Sequence, residues 1–176
     1  SIELTIEEKG KKKIVIFSVD LGPHNAAILN DPDPFHRADL VFMESTYGDR
    51  DHRSLEDTLS QGKYLIEKAI DRKGKILVPS FAIGRSQQLL YYMARAVQRG
   101  NLPEIPVYLD SPMAVEATRI YANHPELYDE EAEEMVRLGV IKGDLSRINL
   151  TVSAEDSRAL NSATGPCMIL AGAGMC

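Results

Sequence analysis

From Ser54 onward the sequence alternates between helical and strand patterns, and this alternation restricts the fold more than any other feature. Residues 54–74 show helical periodicity. The following segments read in turn as strand, helix, strand, helix, helix, strand, helix and strand: KILVPSF, GRSQQLLYYMARAVQRG, IPVYLDS, PMAVEATRIYAN, PELYDEEAEEMVRLG, INLTVS, AEDSRALNSA and CMILAG. Repeated β-α-β units predict an α/β fold with a mostly parallel, doubly wound sheet and helices on both faces.

Several of the predicted helices have recognisable ends. Ser54 and Asp57 have the spacing of a capping box, and Gly74 and Gly100 follow the ends of two helical segments. The two segments after IPVYLDS each begin with proline, which favours the first turn of a helix. The apolar residues of the first helix are predicted to fall near one face: Leu55, Leu59, Ile66 and Ile70.

The first fifty residues follow a different pattern. IELTIEE alternates apolar and polar residues, KGKKK supplies a turn, and IVIFSVD is more apolar, which together predict a β-hairpin. After a proline-rich connection, LVFM predicts a short buried strand that ends at Glu44. The pattern changes between Thr46 and Asp51, so we predict two domains, residues 1–47 and 48–176.

Charge and cysteine content narrow the class of protein. The sequence holds 20 Lys and Arg against 26 Asp and Glu, a net charge of −6, which disfavours a nonspecific nucleic-acid coat protein but not a local basic cleft. No apolar run approaches the roughly 20 residues that span a bilayer, so we expect no membrane segment. Cys167 and Cys176 lack metal-ligand spacing and indicate reduced thiols in a cytoplasmic protein.

Polar residues follow four of the predicted strands and form the candidate site. Asp20 stands at the end of IVIFSVD, the second strand of the predicted hairpin, and Glu44 follows LVFM. Ser80 and Arg85 follow KILVP, and Ser111 follows IPVYLD. The carboxyl ends of parallel strands line ligand crevices, so these side chains are candidates for one site. The four histidines have no metal-like spacing and are predicted at the surface or in turns: His24, His36, His52 and His124.

Each candidate also has a structural explanation. Asp20 suits a bound cation or a general base, and it equally suits a turn. Glu44 is less typical of an exposed turn, which favours function or burial against a partner. Ser80 and Arg85 suit a phosphate cradle at a helix N-terminus or an ordinary tight turn between strand and helix. Helix capping is sufficient to explain Ser111.

These clusters, in this order, resemble the β-CASP branch of the metallo-β-lactamase superfamily, whose characterised members cleave or trim RNA or, in some branches, DNA. The resemblance runs over nearly the whole chain. The motifs that carry it are SVDLG, ESTYGDRDH, PSFAIGRSQQLLYYM, YLDSPMA, HPELYD, SRALN and GPCMILAGAGMC. It implies that residues 1–47 are strands of a metallo-β-lactamase domain and that residues 48–176 belong to a β-CASP domain, incomplete at its C-terminus.

The resemblance also implies a role for each candidate residue. Asp20 matches an aspartate that bridges two zinc ions, and Glu44 matches the acidic residue of the first β-CASP motif, so both are implied catalytic residues. Ser80, Arg85 and Ser111 match turns that line the nucleic-acid cleft, which implies contacts to phosphates. The implied activity is zinc-dependent hydrolysis of single-stranded RNA.

The sequence departs from the family pattern at several places. Val19 stands where the family usually has glycine, Pro23 where an arginine is usual, and Gln88 where glutamate is common. The H-x-H-x-D-H cluster that supplies most zinc ligands does not occur in the sequence. Because Asp20 cannot by itself hold two dications, we expect this chain to be part of a longer protein and inactive in isolation.

Two other functions are weighed against the nuclease. A degenerate relative would clamp RNA or a protein without chemistry. A doubly wound nucleotide-binding domain is disfavoured because the glycine fingerprint and the ribose-reading acid are missing. An isolated hairpin is marginal in water, so we expect the first hairpin to pack on the α/β core or to pair with a second copy in a homodimer.

Overall fold

The computed structural model describes residues 1–20, 22, 24–138 and 148–172. By internal contacts the chain divides into two compact units, one made of residues 1–26 and 30–54 and the other of residues 27–29 and 55–176. The division at Ser54 lies a few residues beyond the predicted boundary segment. The assignment of residues 1–47 to a metallo-β-lactamase domain stays a prediction, and most of the predicted GAGMC motif lies outside the described residues.

The first unit contains the predicted hairpin. Strands β1 (Ile2–Glu8) and β2 (Lys11–Phe17) pair antiparallel along their whole length. Lys9 and Gly10 have φ angles of 51° and 76°, which is the two-residue turn whose twist matches a hairpin. Strand β3 (Leu40–Phe42) then pairs with β2 in parallel. The hairpin prediction is confirmed.

The prediction that LVFM forms a buried strand is wrong for this structure. Every residue of β3 is about half exposed. The strand has three residues at the edge of a three-stranded sheet, and no helix occurs among the described residues of this unit to cover it. The ring of Phe42 in β3 stacks on the ring of Phe17 in β2, with centroids 4.9 Å apart, which covers part of the apolar surface of Phe42.

Asp39 fixes the amino end of β3 to β2. Its backbone N–H donates to Ile14 O at 2.9 Å, and its carboxylate accepts from the Ile14 N–H at 2.9 Å and from Lys13 Nζ at 2.8 Å. The Lys13 hydrogen bond, and after it the Ile14 N–H, hold the pKa of Asp39 below its ordinary value. The parallel pairing of β2 and β3 is thus secured where it begins.

Among the described residues no strand lies on the outer side of β1, which is the edge at which a second copy is predicted to pair. All seven of its residues are exposed. Antiparallel pairing of two such strands brings residues of the same acidic segment together, because Glu3, Glu7 and Glu8 lie along it, and like charges placed opposite each other destabilise a sheet. The homodimer stays a prediction.

The second unit is built on a parallel four-stranded sheet. Its strands lie in the order β4 (Lys75–Ser80), β7 (Cys167–Gly172), β5 (Val107–Asp110) and β6 (Ile148–Leu150), and every neighbouring pair is parallel. The predicted α/β fold with a parallel sheet is confirmed. The last described strand of the chain, β7, lies between the earlier strands β4 and β5. The sheet is therefore completed only when residues far apart in sequence pair with each other.

Among the described residues of this unit five α-helices accompany the sheet, and their bounds are α1 Leu55–Asp71, α2 Arg85–Gln98, α3 Pro112–Asn123, α4 Glu130–Arg137 and α5 Ala154–Ala159. Within the described residues none of them is long and apolar enough to cross a membrane. The helix predicted to start at Pro125 starts later, because Pro125–Leu127 form a single 3-10 turn and the Asp129 side chain caps α4 by accepting from Ala132 N–H at 2.7 Å.

The main core lies between one face of the sheet and helices α1, α2 and α3. Leu109 and Leu170 of the strands are fully buried, and Leu90 of α2 and Val115 of α3 pack in the same cluster. Ile66 of α1 also belongs to this cluster.

The amino-terminal half of α1 departs from its predicted buried face. Leu55 and Leu59 are exposed, whereas Ile66 and Ile70 are buried or partly buried. A 17-residue helix is about 25 Å long, and the six residues of β4 extend about 20 Å. The helix is longer than the strand it packs on, so part of its apolar face stays in solvent.

Helix α5 lies on the other face of the sheet and covers part of it. Alternation along the strands places Lys75 and Asp110 on the face opposite Leu170. Lys75 Nζ donates to Leu160 O at 2.7 Å, just after α5, and Ser157 Oγ of α5 donates to Asp110 Oδ2 at 2.9 Å. Helices therefore lie on both faces, as the doubly wound prediction requires.

The edge strand β4 contains a proline. Pro79 pairs with Ala171 of β7 on one side, and the other side of β4 has no neighbouring strand among the described residues. Proline has no N–H to donate, so it is tolerated in a sheet only where a strand has a free side. The KILVPSF pattern is thus compatible with a strand because that strand lies at an edge.

Candidate functional site

The two predicted catalytic carboxylates leave the first unit's sheet at the same edge. Asp20 follows β2 and Glu44 follows β3, and these strands are parallel with Phe17 opposite Phe42. Beyond that pair the Ser18 N–H still donates to Phe42 O at 2.8 Å. The pairing therefore runs to within two residues of both acids.

Ser18 ties the two strand ends together. Its buried side chain donates to Val19 O at 2.8 Å, and its Oγ accepts from the Glu44 N–H at 3.3 Å. Thr46 Oγ1 donates to Glu44 Oε2 at 2.8 Å, so the half-buried carboxylate that ends β3 has a partner. Asp20 is exposed. This edge holds one carboxylate in a fixed setting and presents the other to solvent.

Val19 adopts a backbone conformation that favours glycine. Its φ angle is 55°, and a β-branched residue is an outlier there because Cβ crowds the backbone. The departure from the family pattern at this position thus carries a steric cost.

Substituting Val19 with glycine should therefore stabilise the first unit. We expect the Val19→Gly variant to gain about 1 kcal/mol in the free energy of unfolding, because relief of steric strain exceeds the added freedom of the unfolded chain. Urea unfolding followed by circular dichroism measures the change. Val41→Gly, in the extended strand β3, is the control and should destabilise; equal losses in both variants would contradict the prediction.

The described residues do not fit a complete zinc site. Within residues 1–20, 22, 24–138 and 148–172 no group of three or more His, Cys, Asp or Glu side chains is arranged to hold a metal ion. The four histidines are all exposed, as predicted. Zinc binds through three or four protein ligands, so a metal role for Asp20 stays a prediction.

In the second unit, Ser80 lies inside the strand-end turn and not on its surface. Its side chain is buried, with Oγ 3.1 Å from Ser86 Oγ, and Ser86 Oγ in turn donates to Phe81 O at 2.7 Å. The observed role of Ser80 is to position the turn after β4. Contact between its hydroxyl and a phosphate stays a prediction.

Gln87 is the central residue of this turn. Its Oε1 accepts from the Gly84 N–H at 2.7 Å, and its Nε2 donates to Ala82 O at 3.1 Å and Thr118 Oγ1 at 2.9 Å. It is buried. Gln87 is not among the predicted site residues, although a glutamine at the third position of a helix that starts after Gly84 is spaced so that its side chain can reach back to the Gly84 N–H.

Ser111 caps α3, as predicted. Its Oγ accepts from the Ala114 N–H at 3.3 Å, and Pro112 occupies the first helical position. A Cβ placed on Gly172 would lie 3.5 Å from Ser111 Oγ, so the end of β7 passes directly beside this cap. Because Gly172 also pairs with Ser80, the structure brings Ser80, Gly172 and Ser111 to one edge.

Arg85 extends from this edge into solvent. It is the first residue of α2 and is exposed. Its guanidinium donates to the neutral Gln88 Oε1 at 3.3 Å, and none of the ion pairs found among the described residues includes it. A charged group held this way is available to an anion.

The comparison with known families identifies the second unit. The Beta-Casp domain model matches residues 86–176, just over half of the chain. This chain belongs to the β-CASP family, and the resemblance drawn from its motifs is confirmed.

Similar proteins extend the comparison to the rest of the chain. Ribonuclease TTHA0252 of Thermus thermophilus is 36% identical over 167 residues, which is 95% of this chain and 38% of the relative. Transcription termination factor FttA of Methanosarcina mazei is 31% identical over 192 residues, covering 99% and 30%. An RNase J-like protein of Methanocaldococcus jannaschii is 27% identical over 179 residues, covering 99% and 40%. The chain therefore spans two fifths or less of the length of these relatives.

Proposed function

We propose that this chain is the part of a metal-dependent ribonuclease that carries the Asp20 and Glu44 carboxylates and a surface for single-stranded RNA. One observation carries the proposal. Parallel pairing of β2 and β3, continued by Ser18, brings the two acids to one edge. Relatives named as a ribonuclease and an RNase J-like protein support RNA as the substrate, and a cytoplasmic location is part of the same proposal.

The two carboxylates are suited to different tasks. Glu44 has a backbone fixed by Ser18 and a carboxylate oriented by Thr46, so it can orient a reacting group without first losing side-chain freedom. Asp20 is exposed and able to accept from a ligand. Zinc, which the family implies, remains part of the proposal, and Asp20 is the one described residue assigned to it.

A chimeric enzyme tests the proposal. This chain replaces the aligned segment of the Thermus thermophilus ribonuclease, and cleavage of a labelled single-stranded RNA is followed on denaturing gels. We expect the chimera to cleave the RNA and this chain by itself not to, because its described residues hold no metal-binding group.

The unchanged relative is the positive control for this experiment, and circular dichroism verifies that the chimera is folded. A folded chimera that retains RNA without cleaving it would refute the nuclease proposal and favour the non-catalytic clamp. A folded chimera that neither binds nor cleaves RNA would refute both.

A further inference from the structure

Large apolar side chains are concentrated where strands end. Among the described residues Phe81 is the most exposed large apolar side chain, at 73%, and Leu77, Met43, Ile83 and Met113 follow at 66%, 65%, 64% and 64%. In the second unit, Phe81 and Ile83 come directly after β4, and Met113 comes directly after β5. Three of these five side chains therefore lie at the carboxyl edge of the parallel sheet.

The backbone that carries Phe81 is held firmly. Phe81 O accepts from the Ser86 N–H at 3.2 Å and from Ser86 Oγ at 2.7 Å. The Gln87 side chain donates a hydrogen bond to Ala82 O and accepts one from the Gly84 N–H, which holds the residues after Phe81 in place. A Phe side chain left in water lacks about 2 kcal/mol of the favourable free energy that its burial would give. A rigid turn that holds a ring outward is a pre-organised contact, which reduces the entropy lost on binding.

The turn after β4 and the start of α3 belong to one surface. Gln87 of α2 donates to Thr118 Oγ1 of α3 at 2.9 Å, which fixes the two helices to each other. Strands β4 and β5 are separated by β7 alone, so their ends are two strand spacings, about 10 Å, apart. The β7 strand ends there at Gly172, which adds no side chain between them.

The charges at this surface favour a polyanion. The first turns of α2 and α3 contain no acidic residue, and Arg85 extends from the start of α2. Both carboxylate oxygens of the nearby Asp110 accept side-chain hydrogen bonds, from Thr151 at 2.7 Å and Ser157 at 2.9 Å. An apolar protein segment would cover Phe81 but give Arg85 no partner, whereas a nucleic acid offers bases to the ring and phosphates to the cation.

We propose that Phe81 stacks on an unpaired base of RNA bound along this edge, with Ile83 and Met113 in contact with neighbouring bases and Arg85 on a phosphate. The inference rests on the proposed RNA function and adds a reason for single-strand preference. Every base has a face on which a ring can stack, but only an unpaired base exposes it. Binding should therefore be tolerant of sequence and intolerant of duplex.

The test measures binding of labelled twelve-nucleotide oligouridylate to the full chain by fluorescence anisotropy. Phe81→Ala should weaken binding about tenfold, as expected for one stacked base. Tyr64→Ala is the matched control, since Tyr64 is an exposed aromatic residue in the middle of α1, and it should leave affinity unchanged. On an oligomer of equal length without bases, Arg85→Ala should still weaken binding and Phe81→Ala should not.

A spectroscopic variant keeps the inference testable if alanine disturbs the turn. The chain contains no tryptophan, so Phe81→Trp introduces a single indole whose emission should be quenched by oligouridylate and not by the oligomer without bases. Absence of RNA binding by the unchanged chain overturns this inference, whereas the proposed function is decided separately by RNA cleavage in the chimeric ribonuclease. Binding that Phe81→Ala leaves intact, or weakens equally on both oligomers, overturns the stacking role of Phe81 while leaving RNA binding by the chain in place.

Discussion

Gln87→Leu is expected to lower the free energy of unfolding of the second unit by about 2–4 kcal/mol. Leucine has a similar volume but cannot bond the Gly84 N–H or Ala82 O, and it removes the donor to Thr118 Oγ1. Buried polar groups left without partners each cost about 1–3 kcal/mol. Urea unfolding monitored by circular dichroism measures the loss.

The neighbouring glutamine is a matched control for that variant. Gln88 is half-buried and interacts with Arg85 at the surface, so Gln88→Leu should change the unfolding free energy by less than about 0.5 kcal/mol. Similar losses in both variants would show that the network around Gln87 is not what stabilises the turn.

In the chimeric ribonuclease, Asp20→Asn should reduce kcat/KM about a thousandfold or more, and Glu44→Gln should have a comparable effect. Both substitutions preserve shape and remove the negative charge, and loss of a positioned acid or base costs about 10²–10⁴ in rate. Initial rates of single-stranded RNA cleavage, with binding measured separately, give the comparison.

Asp49→Asn is the control for the carboxylate variants, because Asp49 is an exposed residue of the loop after Glu44 whose neighbour Arg50 contacts it at the surface. The chimera with Asp49→Asn should cleave RNA at the same rate as the chimera without a substitution. If Asp20→Asn or Glu44→Gln cleaves RNA as fast as Asp49→Asn does, the carboxylate edge has no role in the chemistry.

Local sequence patterns predicted the elements of this fold well. The hairpin follows from apolar alternation around a Lys-Gly turn, and the parallel sheet follows from repeated β-α-β units. The cap at Ser111 was predictable because a capping hydroxyl and a following proline act within one turn of helix. Each of these features depends on residues a few positions apart.

Features that depend on distant residues were not predictable in the same way. The position of β7 between β4 and β5 is set by contacts across the whole second unit. The exposure of β3 depends on whether anything covers it, which three residues of sequence do not encode. Ser80 was predicted as a ligand contact from its place after a strand, and only the register of the turn reveals that its side chain points to Ser86.

Pro79 has a consequence for how this chain behaves in concentrated solution. A parallel sheet with an unpaired outer strand is a template on which another extended segment can add, and this is a common start of fibre growth. An extended segment that adds to β4 receives no hydrogen bond from Pro79, because proline has no N–H. The pairing between β4 and the added segment is therefore interrupted at that residue. The residue that weakens the sheet at its margin is therefore also a barrier to self-assembly.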